Sequence, residues 1–330
     1  LHLFGHSLAR ARPRAPDSPA RLHRLPIPGR SLGLLTRAGL GADRLSGSPS
    51  LFHWTDYVHP PVSRAATVLS LYDVSFAEDP SFHGPSQARV LAERTRRAAS
   101  SSRLVIVPTM ATRRAAAQHF GIAESVLRTV PLGVDHLPRD PGPDPLAGRP
   151  FVVTLGTIEP RKNHARMLEA WSQLSSPRPL LVVIGRPGWE CTAAVEALRA
   201  GQRRGDLRWL RGADDQRAFR YLAHARAALY PSLLEGFGFP PLEAMSLGVP
   251  VLAGDTPALR EVLEDCALFC DPTDVTSIAG CMGQLLEDQV CRSELIRAGR
   301  QRASCFTWAR AAAGYVAAYQ EASECQEALE

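Results

Sequence analysis

The second half of this 330-residue chain alternates short apolar runs with longer helical patterns. Phe151–Leu155 and Leu180–Ile184 are typical of these runs. Their length and composition indicate strands buried on both faces, and the segments between them have helical periodicity. A regular succession of strand and helix predicts a parallel sheet covered on both sides. Ligands of such sheets bind beyond the carboxyl ends of strands, so a site is expected in the loops after Leu155, Ile184, Tyr230 and Ala253.

A stretch rich in proline and glycine precedes this regular half. Residues 131–150 contain six prolines and three glycines, which is a linker composition. We therefore place a domain boundary near residue 148, with one domain over residues 1–148 and a second over 149–330. The chain length also suggests two domains. In the first domain, Thr67–Tyr72 and Leu104–Val107 are interpreted as buried strands.

Residues 1–50 have a different character. Prolines and arginines alternate there without periodicity, so an irregular, basic segment is predicted. Two interpretations stay open: a solvated surface loop, or a basic face that contacts a phosphorylated acceptor or, as in a peripheral membrane protein, anionic lipid. The net charge of +5 and the pI near 9.0 also suggest a nucleic-acid-binding protein. The sequence contains no known nucleic-acid-binding module, so no nucleic-acid partner is expected.

The cysteines indicate a compartment. All seven lie at or after Cys191, and no CxxC pair occurs. Free thiols in a reducing environment fit this pattern better than disulfides do, which predicts a cytoplasmic protein. The sequence also lacks ligand pairs at metal-site spacing, so no metal is expected. No apolar run reaches 18 residues, so no membrane-spanning helix is expected.

One lysine stands among 38 basic residues, and it lies in a loop where a site is expected. The segment after the strand Phe151–Leu155 begins at Gly156 and carries Arg161 and Lys162 just before a helix. A helix start already favours anions, and two cations beside it suit a diphosphate. The alternative is a solvated basic turn. Because Lys and Arg differ in shape and donor geometry, the solitary lysine favours a functional role.

The loop after Tyr230 carries the second candidate group. It reads EGFGF, with Glu235, Gly236, Phe237 and Gly238, and continues into a predicted helix Pro241–Leu247 with Glu243 in its first turn. Carboxylates can accept hydrogen bonds from sugar hydroxyls while backbone amides bind phosphate. The alternatives are an ordinary glycine turn, and a glutamate that complements a helix dipole. Because no GxGxxG fingerprint occurs, no nicotinamide cofactor is indicated.

These motifs resemble a known family. Glu235-x7-Glu243 within EGFGFPPLEAMSLGVPV resembles the signature of retaining glycosyltransferases of family 4. GTIEPRKN, GRPGW, ALYPSLLEGFG, ALREV and ALFCDP are similar to its mannosyltransferase-like branch, as are TVLSLYDVSFAEDP and VPLGVD in the first half. The resemblance covers roughly residues 51–320. It implies the GT-B fold, in which two Rossmann-like domains with parallel sheets face a central cleft and the last helix packs back on the first domain.

The resemblance also implies roles for individual residues. Lys162 and Arg161, beside Gly156, would bind the donor diphosphate. Glu235 would contact hydroxyls of the transferred sugar, and Phe237 and Gly238, after Gly236, would offer backbone N–H groups to the sugar or its phosphate. Glu243 would hold the ribose hydroxyls. The implied donor is a nucleotide diphosphate sugar, with GDP-mannose favoured over UDP-hexoses, and no cofactor or metal is required.

This chain departs from the family pattern at two places. The family usually has His before Asp at the end of the strand Thr67–Tyr72, whereas this chain has Tyr72 and Asp73, which are included among the candidate catalytic residues with Glu235. The family also begins with a strand and a glycine-rich loop that the first domain is expected to lack. The predicted function is a retaining hexosyltransferase acting on a glycan, lipid-linked or small-molecule acceptor; the alternative is a catalytically impaired nucleotide-sugar-binding or scaffolding protein.

Overall fold

The computed structural model describes residues 2–6, 21–25, 40–138 and 140–327. These residues form a two-stranded, a four-stranded and a six-stranded sheet. Every strand pair is parallel, and helices connect most of the strands. The α/β class predicted from strand–helix alternation is therefore confirmed. The proposed boundary near residue 148 lies in the connection between the two larger sheets.

The four-stranded sheet occupies the first half of the chain. Its strands lie in sequence order: β3 (Leu51–Trp54), β4 (Ala66–Ser70), β5 (Leu104–Val107) and β6 (Leu127–Thr129). The helices of this half are α1 (Ala42–Leu45), α2 (Ser75–Glu78), α3 (Pro85–Ser101) and α4 (Met110–Phe120). Strand β4 is buried along its whole length, and its carboxyl end leads directly to Tyr72 and Asp73.

The prediction that residues 1–50 are irregular is wrong for two segments at the start. β1 (His2–His6) and β2 (Arg21–Leu25) pair as parallel strands, with His2 opposite Arg21 and His6 opposite Leu25. Both strands occupy proline-free stretches, because proline cannot donate a hydrogen bond to a sheet ladder. The proline-rich residues between them lie outside the described residues. The membrane contact of this segment therefore stays a prediction.

The six-stranded sheet has the order β12-β11-β10-β7-β8-β9. Its strands are β7 (Phe151–Leu155), β8 (Leu180–Ile184), β9 (Leu207–Leu210), β10 (Ala228–Tyr230), β11 (Val251–Gly254) and β12 (Leu268–Cys270). The chain builds outward from β7 through β9, crosses back, and continues from β10 on the other side. The loops that follow β7 and β10 therefore diverge at a topological switch point, where parallel sheets open a ligand crevice.

Helices cover both faces of this sheet. The helices of the second half of the chain are α5 (His164–Gln173), α6 (Thr192–Arg204), α7 (Asp215–Ala223), α8 (Phe239–Ser246), α9 (Pro257–Leu263), α10 (Val275–Glu287), α11 (Gln289–Ala303) and α12 (Trp308–Glu327). Alternate residues of a strand serve the two faces. On β7, Val152 packs into one core cluster and Val153 into the other.

The last helix connects the two halves. Ala318 and Ala322 of α12 are buried in a cluster with Val68, Leu104 and Ile106 of the first sheet. The small side chains allow the helix to lie close to the strands. In the described ranges, none of the helices combines the length and the apolar character needed to cross a bilayer.

Candidate functional site

The loops after β7 and β10 meet at the switch point and are tied together by Asn163. This residue has a left-handed backbone (φ 59°) directly before α5, and it is buried. Its Nδ2 donates to the carbonyls of Pro231 at 2.9 Å and Pro272 at 2.7 Å. The backbone N–H of Leu233 donates to the Arg161 carbonyl at 2.8 Å. The two loops are therefore held as one surface beyond the sheet.

Glu235 is at the centre of an ion-pair network on this surface. Lys162 Nζ donates to Glu235 Oε1 at 2.6 Å, and Arg161 Nη1 donates to Glu235 Oε2 at 2.9 Å. Arg161 Nη2 also lies 2.9 Å from Glu159 Oε1. The side chains of Lys162 and Glu235 are only 14% and 7% exposed. The structure thus brings together the two cations and the carboxylate that the sequence placed in separate loops.

The network leaves Glu235 ionised. Burial alone would raise the pKa of Glu235, but Lys162 and Arg161 outweigh it and hold that pKa below its usual range. For Glu159 the balance is opposite, because burial raises its pKa in spite of the same two cations. An ionised, largely buried carboxylate can accept hydrogen bonds from hydroxyl groups, while the cations beside it can bind an anion.

Gly156 lies under the lysine. With φ +147°, it takes a backbone conformation that favours glycine, and a Cβ built there would be 3.7 Å from Lys162 Cε. The GRPGW segment packs against it, since a Cβ on Gly185 would lie 1.8 Å from the Gly156 carbonyl oxygen. The lysine stem therefore runs across a surface made of backbone.

The two halves of the molecule touch at Gly236. A Cβ on this residue would lie 1.9 Å from the Tyr72 carbonyl oxygen and 2.7 Å from Asp73 Cβ, so only glycine fits. The hydroxyls of Thr109 and Thr112 donate to the Gly236 carbonyl at 2.9 and 3.1 Å. The candidate residues Tyr72 and Asp73 of the first half are thus placed against the Glu235 loop.

Asp73 has its own partners in the first half. Its Oδ1 accepts from the Ser75 N–H at 3.0 Å and the Ser75 hydroxyl at 2.7 Å, at the start of α2. The Ser75 Oγ lies 2.8 Å from His83 Nε2, and the His83 ring stacks on Trp189 with centroids 5.3 Å apart. Trp189 Nε1 also donates to the Phe82 carbonyl. A polar and aromatic path therefore links Asp73 to the GRPGW loop of the second half.

Tyr72 is 36% exposed, and a buried polar network lies behind it. Tyr315 of α12 contacts the Ser70 hydroxyl at 3.2 Å, and Ser70 Oγ lies 2.9 Å from His53 Nε2. Tyr319 closes the network at 2.8 Å from His53 Nδ1. Burial lowers the pKa of His53 to about 4, so its ring is neutral at physiological pH. Tyr72 therefore stands next to the hydroxyls of Tyr315 and Tyr319, which the last helix supplies.

Glu243 lies on α8, but one turn further along than predicted. The helix begins at Phe239, so Glu243 falls in the second turn, where the helix dipole is weak. The carboxylate instead faces His136, with His136 Nε2 at 3.3 Å from Glu243 Oε1. Burial raises the pKa of Glu243, and His136 opposes that shift. Tyr230 is buried at the end of β10, and burial raises its pKa. The nearby negative charges of Glu243 and Glu235 raise the pKa of Tyr230 further.

The loop between these glutamates is anchored by aromatic rings. The Phe237 side chain is buried, with ring centroids 5.3 Å from Phe239 and 5.7 Å from Phe306. Gly238 follows with φ +93°. Because Pro240 and Pro241 lack N–H groups, the backbone donors at this helix start come from the EGFGF loop itself. Their predicted contact with a sugar or phosphate stays a prediction.

Sequence reasoning missed several residues of this site. Glu159 is part of the GTIEPRKN motif and His136 directly follows VPLGVD, so the position of both residues at these motifs could have marked them as site residues. His83 and Thr109 had none, because the stacking of His83 on Trp189 and the hydrogen bond from Thr109 to Gly236 join segments far apart in the chain. Among the described residues, no group of three or more His, Cys, Asp or Glu side chains is placed to hold a metal ion. Metal independence stays a prediction.

Comparison with known protein families gives a match over the second half. The model of the family described as glycosyl transferases group 1 matches residues 143–302. The chain is 30% identical over 283 residues to the O-antigen chain mannosyltransferase B of Escherichia coli, covering 82% of this chain and 74% of that protein. It is 31% identical over 208 residues to the MMP alpha-(1->4)-mannosyltransferase of Mycolicibacterium hassiacum, covering 62% of this chain and half of that protein.

Solved structures agree on the fold. The sucrose-phosphate synthase of Thermosynechococcus elongatus superposes with a TM-score of 0.77 at 19% identity, over 97% of this chain and 88% of that one. The HepE protein of Anabaena, solved in complex with UDP and glucose, has a TM-score of 0.70 at 18% identity, over 92% and 86% of the two chains. These likenesses confirm the predicted GT-B fold.

Proposed function

This chain belongs to the glycosyl transferases of group 1, and we propose that it is a retaining hexosyltransferase of family 4 that uses a nucleotide diphosphate sugar. Mannose is the favoured sugar and GDP-mannose the favoured donor. The acceptor is a glycan, a lipid-linked glycan or a small molecule. The mannosyltransferase relatives support the sugar, and the HepE complex with UDP and glucose supports the donor class.

The pairing of Lys162 and Arg161 with Glu235 carries this proposal. Two cations and an ionised carboxylate lie together at the carboxyl ends of β7 and β10. A sugar diphosphate has anionic oxygens for the cations and hydroxyls for the carboxylate. In the structure the two cations donate hydrogen bonds to the carboxylate. A bound donor would replace these contacts with hydrogen bonds to its phosphate oxygens and sugar hydroxyls. Side chains positioned in this way need little reorganisation on binding.

The reaction follows from those contacts. The bond between C1 of the sugar and the β-phosphate oxygen breaks, and Lys162 and Arg161 stabilise the negative charge that develops on the diphosphate. The acceptor hydroxyl forms the new bond to C1 on the same face, and its proton passes to the departing phosphate. Glu235 holds the sugar hydroxyls during this exchange. No metal is required, because the two cations and the N-terminus of α5 stabilise the negative charge on the departing diphosphate.

The first half contributes Tyr72 and Asp73 to the cleft. Tyr72 stands where the resemblance implies a histidine, and its hydroxyl would donate a hydrogen bond to the donor sugar. Asp73 lies near the cations. Burial alone would lower the pKa of Arg161, but the negative charges of Glu235 and, to a smaller extent, Asp73 raise it. Both residues touch the Glu235 loop through Gly236, so movement of one half is transmitted to the other.

A donor panel tests this function. The purified chain is incubated with GDP-mannose, UDP-glucose or UDP-galactose and with octyl α-mannoside as the acceptor probe, with and without EDTA. We expect hexosyl transfer that is fastest with GDP-mannose and unchanged by EDTA. Glu235→Gln should lower kcat by about a hundredfold or more, whereas the exposed Glu294→Gln should have no effect.

Three results would count against the proposal. The absence of both sugar transfer and slow donor hydrolysis with all three donors would contradict the proposed transferase activity. Loss of turnover with EDTA that manganese restores would contradict the metal-free mechanism. Full activity of Glu235→Gln would show that the cleft described above is not the site of reaction.

A further inference from the structure

His136 lies between the second glutamate and the last helix. Its Nε2 is 3.3 Å from Glu243 Oε1, and on the opposite side of the ring the indole N–H of Trp308 donates to Nδ1 at 3.2 Å. His136 belongs to the first half of the chain, Glu243 to α8, and Trp308 begins α12. Three distant segments therefore converge on one imidazole ring.

The tryptophan determines which nitrogen of the ring carries the proton. An indole N–H can only donate, so His136 Nδ1 must accept and cannot itself be protonated. This contact places a ring hydrogen on Nε2, the atom that faces Glu243. This tautomer presents a donor to Oε1 of the carboxylate, and within the described part of the chain no hydrogen bond to Oε2 is formed.

The surroundings hold Trp308 firmly in place. Its backbone N–H donates to Asp135 Oδ1 at 2.7 Å, and a Cβ on Gly133 would lie 2.2 Å from the same nitrogen. The Trp308 ring stacks on Phe239 at an interplanar angle of 27°. The donor to His136 is thus fixed both by the VPLGVD segment and by the first residue of α8.

We propose that His136 is a positioning residue that orients Glu243 toward the nucleotide ribose, with Trp308 selecting its tautomer. The inference rests on the proposed function and on the role that the family resemblance implies for Glu243, which is to hold the ribose hydroxyls. His136 binds Oε1, so Oε2 faces the hydroxyls at a fixed angle. The ligand class is a ribonucleoside diphosphate, and discrimination against nucleotides that lack ribose hydroxyls depends on His136.

Isothermal titration calorimetry with GDP and 2′,3′-dideoxy-GDP tests this role. The full chain should bind GDP at least tenfold more tightly than the dideoxy analogue. His136→Ala should weaken GDP binding by about tenfold and leave binding of the dideoxy analogue unchanged. Lys162→Ala should weaken both ligands equally, because the diphosphate is common to them.

Conservative variants separate positioning from folding. The side-chain nitrogen of Gln reaches the place of imidazole Nε2, so His136→Gln should bind GDP like the parent, whereas the shorter His136→Asn should behave like His136→Ala. Trp308→Phe keeps a ring on Phe239 but removes the indole N–H, and should lower GDP affinity severalfold without changing dideoxy-GDP binding. His224→Gln, remote from the site, serves as the control.

The outcomes are distinguishable. Equal losses for GDP and its dideoxy analogue in His136→Ala, or no loss in either, would overturn the role of His136 and leave the proposed function intact. Parental affinity in His136→Asn would also overturn it. If the parent chain binds neither GDP nor UDP at millimolar concentration, the proposed function and this inference both fail.

Discussion

Lys162 is the one lysine among 38 basic residues, and its contacts depend on its shape. Its ammonium group lies 2.6 Å from Glu235, and its stem crosses the backbone at Gly156. Arg161 has a different task, because its planar guanidinium reaches Glu159, Glu235 and the Leu234 carbonyl together. Neither cation can replace the other, since one contact needs a compact charge and the other needs a fork of donors.

The solitary lysine leads to the first prediction. Lys162→Arg should weaken donor binding nearly as much as Lys162→Ala, by about ten- to a hundredfold, because a guanidinium does not fit over Gly156. Calorimetry with GDP measures this, with circular dichroism as the check on folding and the exposed Arg96→Lys as the control. Parental affinity in Lys162→Arg would mean that the lone lysine is an accident of composition.

Tyr72 carries the second prediction. Tyr72→Phe should lower kcat for mannosyl transfer by about tenfold with little change in KM for the donor, because one hydrogen bond to the reacting sugar is lost. Tyr72→His, which restores the residue common in the family, should keep most of the activity. Tyr221→Phe, buried in the second half, is the matched control. An unchanged kcat in Tyr72→Phe would remove this residue from the catalytic set.

Helix α4 shows how an element of one half positions a loop of the other. Thr109 caps its start by accepting from the Thr112 N–H at 3.0 Å, and Glu261 of α9 accepts from the Met110 and Ala111 N–H groups at 2.6 and 2.8 Å. The same helix start holds the Gly236 carbonyl. A carboxylate at a helix N-terminus is stabilising, and here it also joins the two halves beside the Glu235 loop.

Removing that carboxylate should loosen the connection. Glu261→Gln is expected to lower the free energy of unfolding by about 1 kcal/mol and to raise KM for the donor, because the Glu235 loop loses a support. Urea denaturation and steady-state kinetics measure the two effects, with the exposed Glu264→Gln as the control. A change in stability without any change in KM would show that α4 does not position the donor loop.

Sequence patterns predicted some elements of this molecule better than others. The strands β7 and β8 were predicted to the residue, because fully buried parallel strands are continuous apolar runs. The start of α8 was placed two residues late, since Phe239 and Pro240 carry no capping signal. The strands β1 and β2 were missed because the prolines around them dominate the local composition.

The candidate site was also only partly predicted from the sequence. Lys162, Arg161 and Glu235 were found because each lies in a loop at the carboxyl end of a strand, where topology concentrates ligand contacts. The pairing of Glu243 with His136 was not found, because it joins residues more than a hundred positions apart. Contacts between the two halves produce no periodic pattern in the sequence, so they can be identified only from the folded structure.

At the scale of the whole molecule, the two halves form one unit around the cleft. The last helix packs Ala318 and Ala322 on the first sheet, while its start contacts Asp135 and lies beside α8. Gly236 and Glu261 also connect the halves, through Tyr72 and Met110 respectively. A ligand that binds in the cleft should therefore stabilise the entire chain against unfolding.

Thermal unfolding tests that expectation. GDP at a hundred times its Kd should stabilise the native state by about 2.7 kcal/mol and raise Tm on the order of 5 °C. Differential scanning calorimetry of the full chain measures the shift, and Lys162→Ala should reduce it at the same GDP concentration. A first transition that does not respond to GDP would show that one half unfolds independently of the cleft.

The stereochemistry of the product tests the central claim most directly. The sugar of GDP-mannose is α-linked, and attack from the face of the departing diphosphate keeps that configuration. Proton NMR of the product made from GDP-mannose and octyl α-mannoside in the presence of EDTA reports the anomeric centre as it forms. We predict an α-mannoside as the first product. A β-mannoside would contradict the account, because it requires attack from the face opposite Lys162 and Arg161.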